Sequence, residues 1–240
     1  MSDRPEEAAV ERVMGIFAHP DDPEFFSGGT FAKWAAEGKT VTFVLATSGD
    51  KGSGVLEMQS DRLVEIREAE ERAAAARLGV HEVVFLRYPD GELQPSLDLR
   101  RQLTRLIRIK QPDIVVTNDP TAWWYGSNYI NHPDHRAIGE AALAAIFPSA
   151  RDHLTFPELY FEEHLAPHKV RYVYVCGTHE PNLKVDVTDY LETKIAALYE
   201  HRSQIADMEE MARRQRENVD PQFMGNGRRY TEAFRFFQLS

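Results

Sequence analysis

Cysteine is almost absent from this sequence of 240 residues, in which Cys176 is the single example. One cysteine cannot form an intramolecular disulfide, and it excludes zinc modules that are built from several cysteines. Cys176 ends the apolar run of residues 173–176, which favours a buried core thiol over a reactive nucleophile. A metal site in this chain would therefore have to use nitrogen and oxygen ligands.

The sequence also lacks an excess of basic residues. Acidic residues outnumber basic ones by 38 to 28, which gives a formal net charge of −10. Binding to phosphate backbones requires a clustered basic surface, so nucleic acid is not expected as a partner.

Long apolar runs are missing as well. No segment approaches the roughly 18 consecutive apolar residues that a membrane span needs. Residues 1–11 are polar and acidic, without the basic and apolar regions of a secretory signal. We therefore expect a cytoplasmic protein that does not associate with a membrane. Its length and its 42% hydrophobic content predict one globular domain over residues 1–240.

Nucleotide-binding motifs are not found where they would be expected. No G-x-G-x-x-G pattern follows the first predicted strand, which argues against a dinucleotide site. Residues 49–54 are rich in glycine but lack the Gly-Lys-Ser/Thr ending of a phosphate-binding loop. This segment is better interpreted as a mobile loop beside a site.

Strand-like and helix-like segments alternate along most of the chain. Apolar and β-branched runs predict strands at residues 13–18, 40–46, 83–86, 113–117 and 170–176. Helical patterns predict helices at residues 27–37, 56–78, 97–110, 133–146, 188–201 and 206–217. Residues 234–237 are apolar enough to add a strand or to cover a sheet edge. The alternation predicts an α/β, Rossmann-like fold, with a mostly parallel β-sheet and helices on both faces.

Two similar tetrapeptides stand at equivalent places in this pattern. His-Pro-Asp-Asp, residues 19–22, follows the first predicted strand, and His-Pro-Asp-His, residues 132–135, closes the loop after the fourth. In the commonest strand order these two strands are neighbours at the point where the order reverses, and ligands bind there. Proline is favoured at the first helical position, so each turn would place two ligand-type residues on one face of a helix start. We expect the two turns to face each other across one crevice.

The residue types in these turns suit a catalytic metal site. Imidazole and carboxylate ligands suit zinc, and three protein ligands with one open position are typical of catalysis. Of the adjacent Asp21 and Asp22, one could bind the ion while the other acts as a general base. Either of His132 and His135, or both, could bind metal, and a free one could protonate a leaving group or hold an oxyanion. Asp134 could orient a histidine ring from behind.

Taken together, these motifs resemble the LmbE-like, or PIG-L, family of zinc-dependent N-acetylglucosaminyl deacetylases. The likeness is carried by Ala-His-Pro-Asp-Asp at residues 18–22 and by Asn-His-Pro-Asp-His-Arg at residues 131–136. It extends to residues 28–30, 65–67, 78–80, 88–91, 194–204 and 232–235, and so covers the chain nearly from end to end.

The resemblance implies one zinc ion per chain, bound by His19, Asp22 and His135. It also implies that Asp21 is the general base that activates water. Fe²⁺ is an alternative to zinc, since histidine and aspartate ligands do not choose decisively among divalent metals.

The remaining roles also follow from the resemblance. His132, oriented by Asp134, would stabilise the oxyanion or act as the general acid, and Arg67 and Asp90 match positions that contact the sugar. The implied reaction removes an acetyl group from a small-molecule amino sugar or glycoside. The sequence is compatible with a homo-oligomer.

Some features depart from the family pattern or have more than one interpretation. Pro23 separates Asp22 from Glu24, whereas many relatives have glutamate directly after the second aspartate. Tyr129 lies three positions before His132 rather than two, so its part in catalysis is open. Aromatic residues in the loop 119–129 could stack on a sugar ring, anchor the loop or contact a subunit.

Residues outside the turns have ordinary structural interpretations. Without the family, the charge pattern of residues 65–77 would place Arg67 on a solvated helix face. His201 is equally compatible with a packed and a solvent-facing position.

Two other functions compete with the favoured one. The chain could be a zinc amidase that acts on another N-acyl conjugate, such as a thiol conjugate or a natural product. It could also be a catalytically silent member that binds zinc and a ligand, although the intact Asp21 and His132 disfavour this.

Overall fold

A central seven-stranded sheet organises the computed structural model, which describes residues 10–223 and 227–240. The strands are β1 (Arg12–Phe17), β2 (Thr40–Thr47), β3 (Glu82–Tyr88), β4 (Ile114–Asn118), β5 (Trp124–Tyr125), β6 (Tyr129–Ile130), β7 (Tyr172–Cys176), β8 (Leu183–Asp186) and β9 (Thr231–Gln238). The helices are α1 (Asp22–Ala36), α2 (Ser60–Leu78), α3 (Leu97–Lys110), α4 (Pro133–Ala144), α5 (Pro157–Phe161), α6 (Leu191–Leu198) and α7 (Met208–Glu217). β5 and β6 pair with each other in a separate hairpin.

The strands lie across the sheet in the order β3-β2-β1-β4-β7-β9-β8. β1, β2, β3, β4 and β7 run parallel, and β9 lies antiparallel to both β7 and β8. This confirms the predicted mostly parallel, Rossmann-like sheet. β1 pairs with β2 on one side and with β4 on the other, so the strand order reverses at β1.

Helices pack on both faces of the sheet, and the sheet separates the apolar core into two layers. Because successive side chains of a strand point to opposite faces, Val13 and Phe17 of β1 enter one layer, and Met14 and Ile16 enter the other. Cys176 is buried in the layer of Val13, as predicted. Among the described residues, no helix is both long and apolar enough to cross a membrane.

Helix α1 begins earlier than predicted, at Asp22 rather than at residue 27. Pro23 lies in its first turn, where a fixed φ and a missing N–H are tolerated. Ser27, with φ of −147°, interrupts the regular helix. The predicted helix includes only the part that begins at this residue. The early start matters for function because it places Asp22 on the helix.

Candidate metal centre and active site

Two turns meet at the carboxyl edge of the sheet, where β1 and β4 end. His19 lies in the turn after β1, and His132 is the N-cap residue of α4. The ring centroids of His19 and His132 are 4.6 Å apart, and those of His19 and His135 are 5.3 Å apart. The fold thus brings together two segments that lie far apart in the sequence.

The carboxylate of Asp22 lies between two imidazole rings. Its Oδ1 is 3.0 Å from His135 Nε2, and its Oδ2 is 3.4 Å from His19 Nδ1. All three residues are buried, and one ligand atom from each lies within 4.8 Å of the others. Burial by itself would raise the pKa of Asp22, but the two histidines outweigh it and hold this pKa far below its usual value.

This donor set fits a divalent metal ion. Bonds of 2.0–2.1 Å at tetrahedral angles would place neighbouring ligand atoms about 3.3 Å apart, close to the two distances at Asp22. Two imidazoles and one carboxylate also leave a fourth position free, as in catalytic rather than structural sites. His19, Asp22 and His135 could therefore hold one ion.

Carboxylates hold the far side of the His19 ring. His19 Nε2 lies 3.2 Å from Asp134 Oδ2 and 3.1 Å from Asp90 Oδ1. Asp134 is itself fixed by two backbone N–H groups that donate to its oxygens. These contacts direct the other ring nitrogen, Nδ1, toward Asp22, in the way that carboxylates commonly orient histidine ligands.

The contact expected between Asp134 and His132 takes a different form. Asp134 Oδ2 is 4.0 Å from His132 Nδ1, beyond hydrogen-bond distance, because this carboxylate is directed beneath His19. It is the backbone N–H of Asp134 that donates to His132 Nδ1, at 3.3 Å. His132 remains partly exposed at the cavity wall, and burial and the neighbouring His19 lower its pKa.

His135 is oriented by Asn131, to which the sequence analysis assigned no role. His135 Nδ1 lies 2.9 Å from Asn131 Oδ1. The amide nitrogen of Asn131 donates to the carbonyl of Ala122 at 2.7 Å, which fixes the amide oxygen toward the histidine. The Nε2 atom of His135 is thereby left to face Asp22. The one signal in the sequence is the position of Asn131 directly before the His-Pro turn.

Asp21 has a backbone conformation that is unusual for a residue other than glycine, with φ of 88°. Its N–H donates to Glu71 Oε2 at 3.1 Å, and its Oδ2 lies 3.5 Å from Arg67 Nη2. Burial raises the pKa of Asp21 to about 6, although Arg67 opposes the shift. A carboxylate with a raised pKa beside a metal site is a candidate general base.

Arg67 lies buried beneath the cavity, with 4% of its surface exposed, rather than on the solvated helix face that its charged neighbours suggest. Its guanidinium donates to the carbonyls of Pro20, at 2.8 Å, and Gly49, at 3.2 Å. A β-carbon at position 49 would lie 2.0 Å from Arg67 Nη1, so this approach requires glycine. Arg67 and Asp90, the two predicted sugar contacts, both line the cavity.

A fully buried cluster lies behind Asp21. It contains Glu24, Glu71 and His201, from α1, α2 and the segment after α6. His201 Nε2 is 3.4 Å from Glu24 Oε2 and 3.9 Å from Glu71 Oε2. Burial by itself would lower the pKa of His201, but the Glu24 carboxylate raises it. The sequence pattern does not predict these residues as part of the site.

The two turns open into a cavity of about 410 Å³. Phe25, Phe26 and Tyr129 give it aromatic surface, and Gly52 and Gln204 add neutral polar groups. Aromatic faces beside a few polar groups suit a sugar ring. In the aromatic loop of residues 119–129, Trp123 stacks on Arg136 with the guanidinium carbon 3.8 Å from the ring centre.

Comparisons with known proteins agree with this geometry. The family model described as PIG-L, GlcNAc-PI de-N-acetylase, matches residues 14–146, which include both His-Pro-Asp turns. Diacetylchitobiose deacetylase of Thermococcus kodakarensis is 33% identical over 198 residues, which cover 82% of this chain and 72% of the relative. A probable N-acetyl-α-D-glucosaminyl L-malate deacetylase of Bacillus anthracis is 28% identical over 204 residues, 81% of each chain.

A solved structure is also similar. N,N'-diacetylchitobiose deacetylase from Pyrococcus horikoshii, in complex with an inhibitor, matches with a TM-score of 0.84 and 33% sequence identity. The match covers 97% of this chain and 85% of that one. These three relatives are all named as deacetylases of acetylated amino sugars.

Proposed function

The chain belongs to the PIG-L family of GlcNAc-PI de-N-acetylases, and we propose that it is a zinc-dependent deacetylase of N-acetylglucosamine-type sugars or glycosides. The observation that carries this proposal is the buried cluster of His19, Asp22 and His135, with Asp21 and His132 beside it at one cavity. A substrate's acetamide would enter this cavity, and acetate and a free amino sugar would leave it.

His19, Asp22 and His135 would hold the metal ion. A divalent ion in this position acts as a Lewis acid, which makes water easier to deprotonate and an amide carbonyl more electrophilic. Asp90 and Asp134 keep the His19 ring in place, and Asn131 does the same for His135. With the proton of each ring directed at these partners, His19 Nδ1 and His135 Nε2 would be free to bind the ion.

Asp21 would take the proton from the attacking water. Asp21 directly precedes Asp22 in the chain. Its raised pKa makes its carboxylate a stronger proton acceptor than that of an ordinary aspartate. Water oxygen then bonds to the carbonyl carbon of the acetamide, and the carbon–nitrogen bond breaks.

His132, which lines the same cavity, would complete the reaction. Its ring is partly exposed to the cavity and lies 4.6 Å from that of His19. From there it can donate a hydrogen bond to the oxyanion or a proton to the departing nitrogen. The products are a carboxylate, acetate, and the amine of the sugar.

Acetate release from N,N'-diacetylchitobiose and from N-acetylglucosamine tests this function directly. We expect release by the zinc-loaded protein, loss of release after treatment with a chelator, and recovery when zinc is restored. A panel of other N-acyl compounds, including a thiol conjugate, runs beside the sugars. Hydrolysis of another N-acyl compound but of neither sugar would show that the substrate is not an amino sugar. A zinc-loaded protein that hydrolyses none of the compounds would be a catalytically silent member that only binds zinc.

A further inference from the structure

The peptide group between Pro20 and Asp21 is held at both ends by one helix. Arg67 Nη2 donates to the carbonyl oxygen of Pro20 at 2.8 Å, and Glu71 Oε2 accepts from the N–H of Asp21 at 3.1 Å. These two atoms belong to the same peptide plane. Arg67 and Glu71 are four residues apart on α2, so they lie on one face of the helix, one turn from each other.

The orientation of this peptide plane decides where the Asp21 side chain points. Rotation of the plane changes the φ angle of Asp21, which at 88° lies in a region that residues other than glycine rarely occupy. Such a conformation persists only when the surroundings fix it. The contacts from Arg67 and Glu71 provide that constraint directly beside the metal ligand Asp22.

Glu71 places its carboxyl group in the interior of the protein. Its side chain is completely buried, and a buried carboxyl group is disfavoured unless it is paired or hydrogen-bonded. The Asp21 N–H is the hydrogen-bond donor to its Oε2, while His201 Nε2 approaches the same oxygen at 3.9 Å. The same His201 nitrogen lies 3.4 Å from Glu24 Oε2, so Glu24, Glu71 and His201 form one buried cluster.

We propose that Glu71 is a positioning residue for deacetylation, which fixes the Pro20–Asp21 peptide plane and thereby aims the Asp21 carboxylate at the attacking water. Glu71 itself touches neither substrate nor metal ligands and acts through Asp21. The inference rests on the proposed function only for its catalytic part, because the hydrogen bond to Asp21 is a property of the fold.

Two substitutions of similar size separate the hydrogen bond from the packing. Glu71→Gln keeps an oxygen that can accept from the Asp21 N–H, whereas Glu71→Met fills the same space without an acceptor. We expect Glu71→Met to lower kcat roughly tenfold to a hundredfold, as misplacement of a reacting group by about 1 Å does, with KM and metal content unchanged. Glu71→Gln should stay within a few-fold of the unsubstituted protein. A kcat for Glu71→Met equal to that for Glu71→Gln would overturn the proposal.

A double-substitution cycle shows whether Glu71 acts through Asp21. In an Asp21→Asn background the general base that Glu71 orients is already removed, so adding Glu71→Met should cause little further loss of kcat. The same loss in both backgrounds would mean that Glu71 acts independently of Asp21, contrary to the proposal. Thermal unfolding of each variant identifies losses that come from unfolding alone.

Hydrogen exchange at the Asp21 amide gives a readout that does not depend on turnover. We expect slow exchange in the unsubstituted protein and in Glu71→Gln, and faster exchange in Glu71→Met, because only the last lacks the acceptor. Equal exchange in all three would remove the structural basis of the proposal. Protected exchange in a protein that releases no acetate would instead show that the proposed function had failed while the peptide contact held.

Discussion

Asp21 and Asp22 are neighbours in the chain, yet the fold gives their carboxylates opposite environments. Asp22 lies between His19 and His135, which hold its pKa far below the usual value. Burial raises the pKa of Asp21 to about 6. Two acidic residues whose environments separate their pKa values can divide ligand and base roles between them. The separation arises because α1 begins between them, with Asp22 on the helix and Asp21 in the turn before it.

Removal of the charge at Asp21 should therefore affect turnover without affecting the metal. We predict that Asp21→Asn lowers kcat roughly 10²- to 10⁴-fold, the usual contribution of a positioned general base. Metal content per chain should not change, because the ligands are intact. Steady-state kinetics and elemental analysis of the same preparation check this, with the exposed Asp61→Asn as the matched control. Normal turnover in Asp21→Asn would remove Asp21 from the mechanism.

Asn131 should control metal affinity through His135. We predict that Asn131→Leu weakens metal binding about ten- to a hundredfold, as loss of a contact that orients a ligand commonly does. Competition with a chelator of known affinity measures the change. Asn128→Leu makes the same substitution at an exposed position of the nearby hairpin and should leave affinity unaltered. Equal affinities in the two variants would mean that Asn131 does not orient the ligand.

At this scale the sequence revealed the motif residues but not their supports. The two His-Pro-Asp turns were recognisable because ligand types recur there at helix-start spacing. Glu71 was not, since it stands in a helix whose sequence is densely charged, and its contact with Asp21 spans 50 positions. His201 reaches Glu24 across an even longer separation. Local patterns carry no information about such partners.

At the scale of elements, helix α4 approaches the end of β4 unusually closely. A β-carbon on Gly139 would lie 2.3 Å from the carbonyl oxygen of Asn118, a distance that real contacts essentially never show. Gly139 is one helical turn beyond His135, on the same side of the helix. The glycine thus sets how closely helix α4, which carries His135, packs against the end of β4.

Gly139→Ala should push α4 away from the sheet. We predict a loss of about 1–3 kcal/mol in the free energy of unfolding, typical of overpacking, together with weaker metal binding. Glu140→Ala, on the exposed side of the same helix, should change stability by less than about 0.5 kcal/mol. Chemical denaturation of both variants, with and without zinc, provides the measurement. A Gly139→Ala protein as stable as Glu140→Ala would contradict the close approach.

Elements were predictable where local signals were strong. α3 occupies its predicted bounds, because Ser96 caps its start by accepting from the N–H of Leu99. The hairpin β5–β6, strand β8 and helix α5 were not predicted. Each is at most five residues long, and β8 is defined by pairing with the distant β9 rather than by its own sequence. Short segments of this kind depend on tertiary contacts.

At the scale of the whole molecule, charge should influence which substrates are accepted. The chain carries a net charge of −10. Among the described residues that line the cavity, Arg67 alone is permanently cationic, and its guanidinium is directed at Pro20 and Gly49. Asp21, Asp22 and Asp90 line the same cavity, so an anionic group on the substrate would meet a negative field.

A neutral glycoside should therefore be preferred to an anionic one. We predict that kcat/KM for N,N'-diacetylchitobiose exceeds that for N-acetylglucosaminyl malate about tenfold or more at low ionic strength. The gap should narrow as salt screens the repulsion. Gln204→Lys, which adds a positive charge at the cavity, should narrow it as well. A preference for the malate conjugate at low salt would show that the field does not select the substrate.

We propose that His19, Asp22 and His135 share one catalytic ion. Stepwise return of zinc to metal-free protein, with bound zinc and acetate release measured in the same samples, tests it most directly. We predict that the rate rises in proportion to bound zinc and stops rising at one ion per chain, and that His135→Ala loses both zinc binding and acetate release. Acetate release from metal-free protein, or unchanged zinc binding and release in His135→Ala, would contradict it.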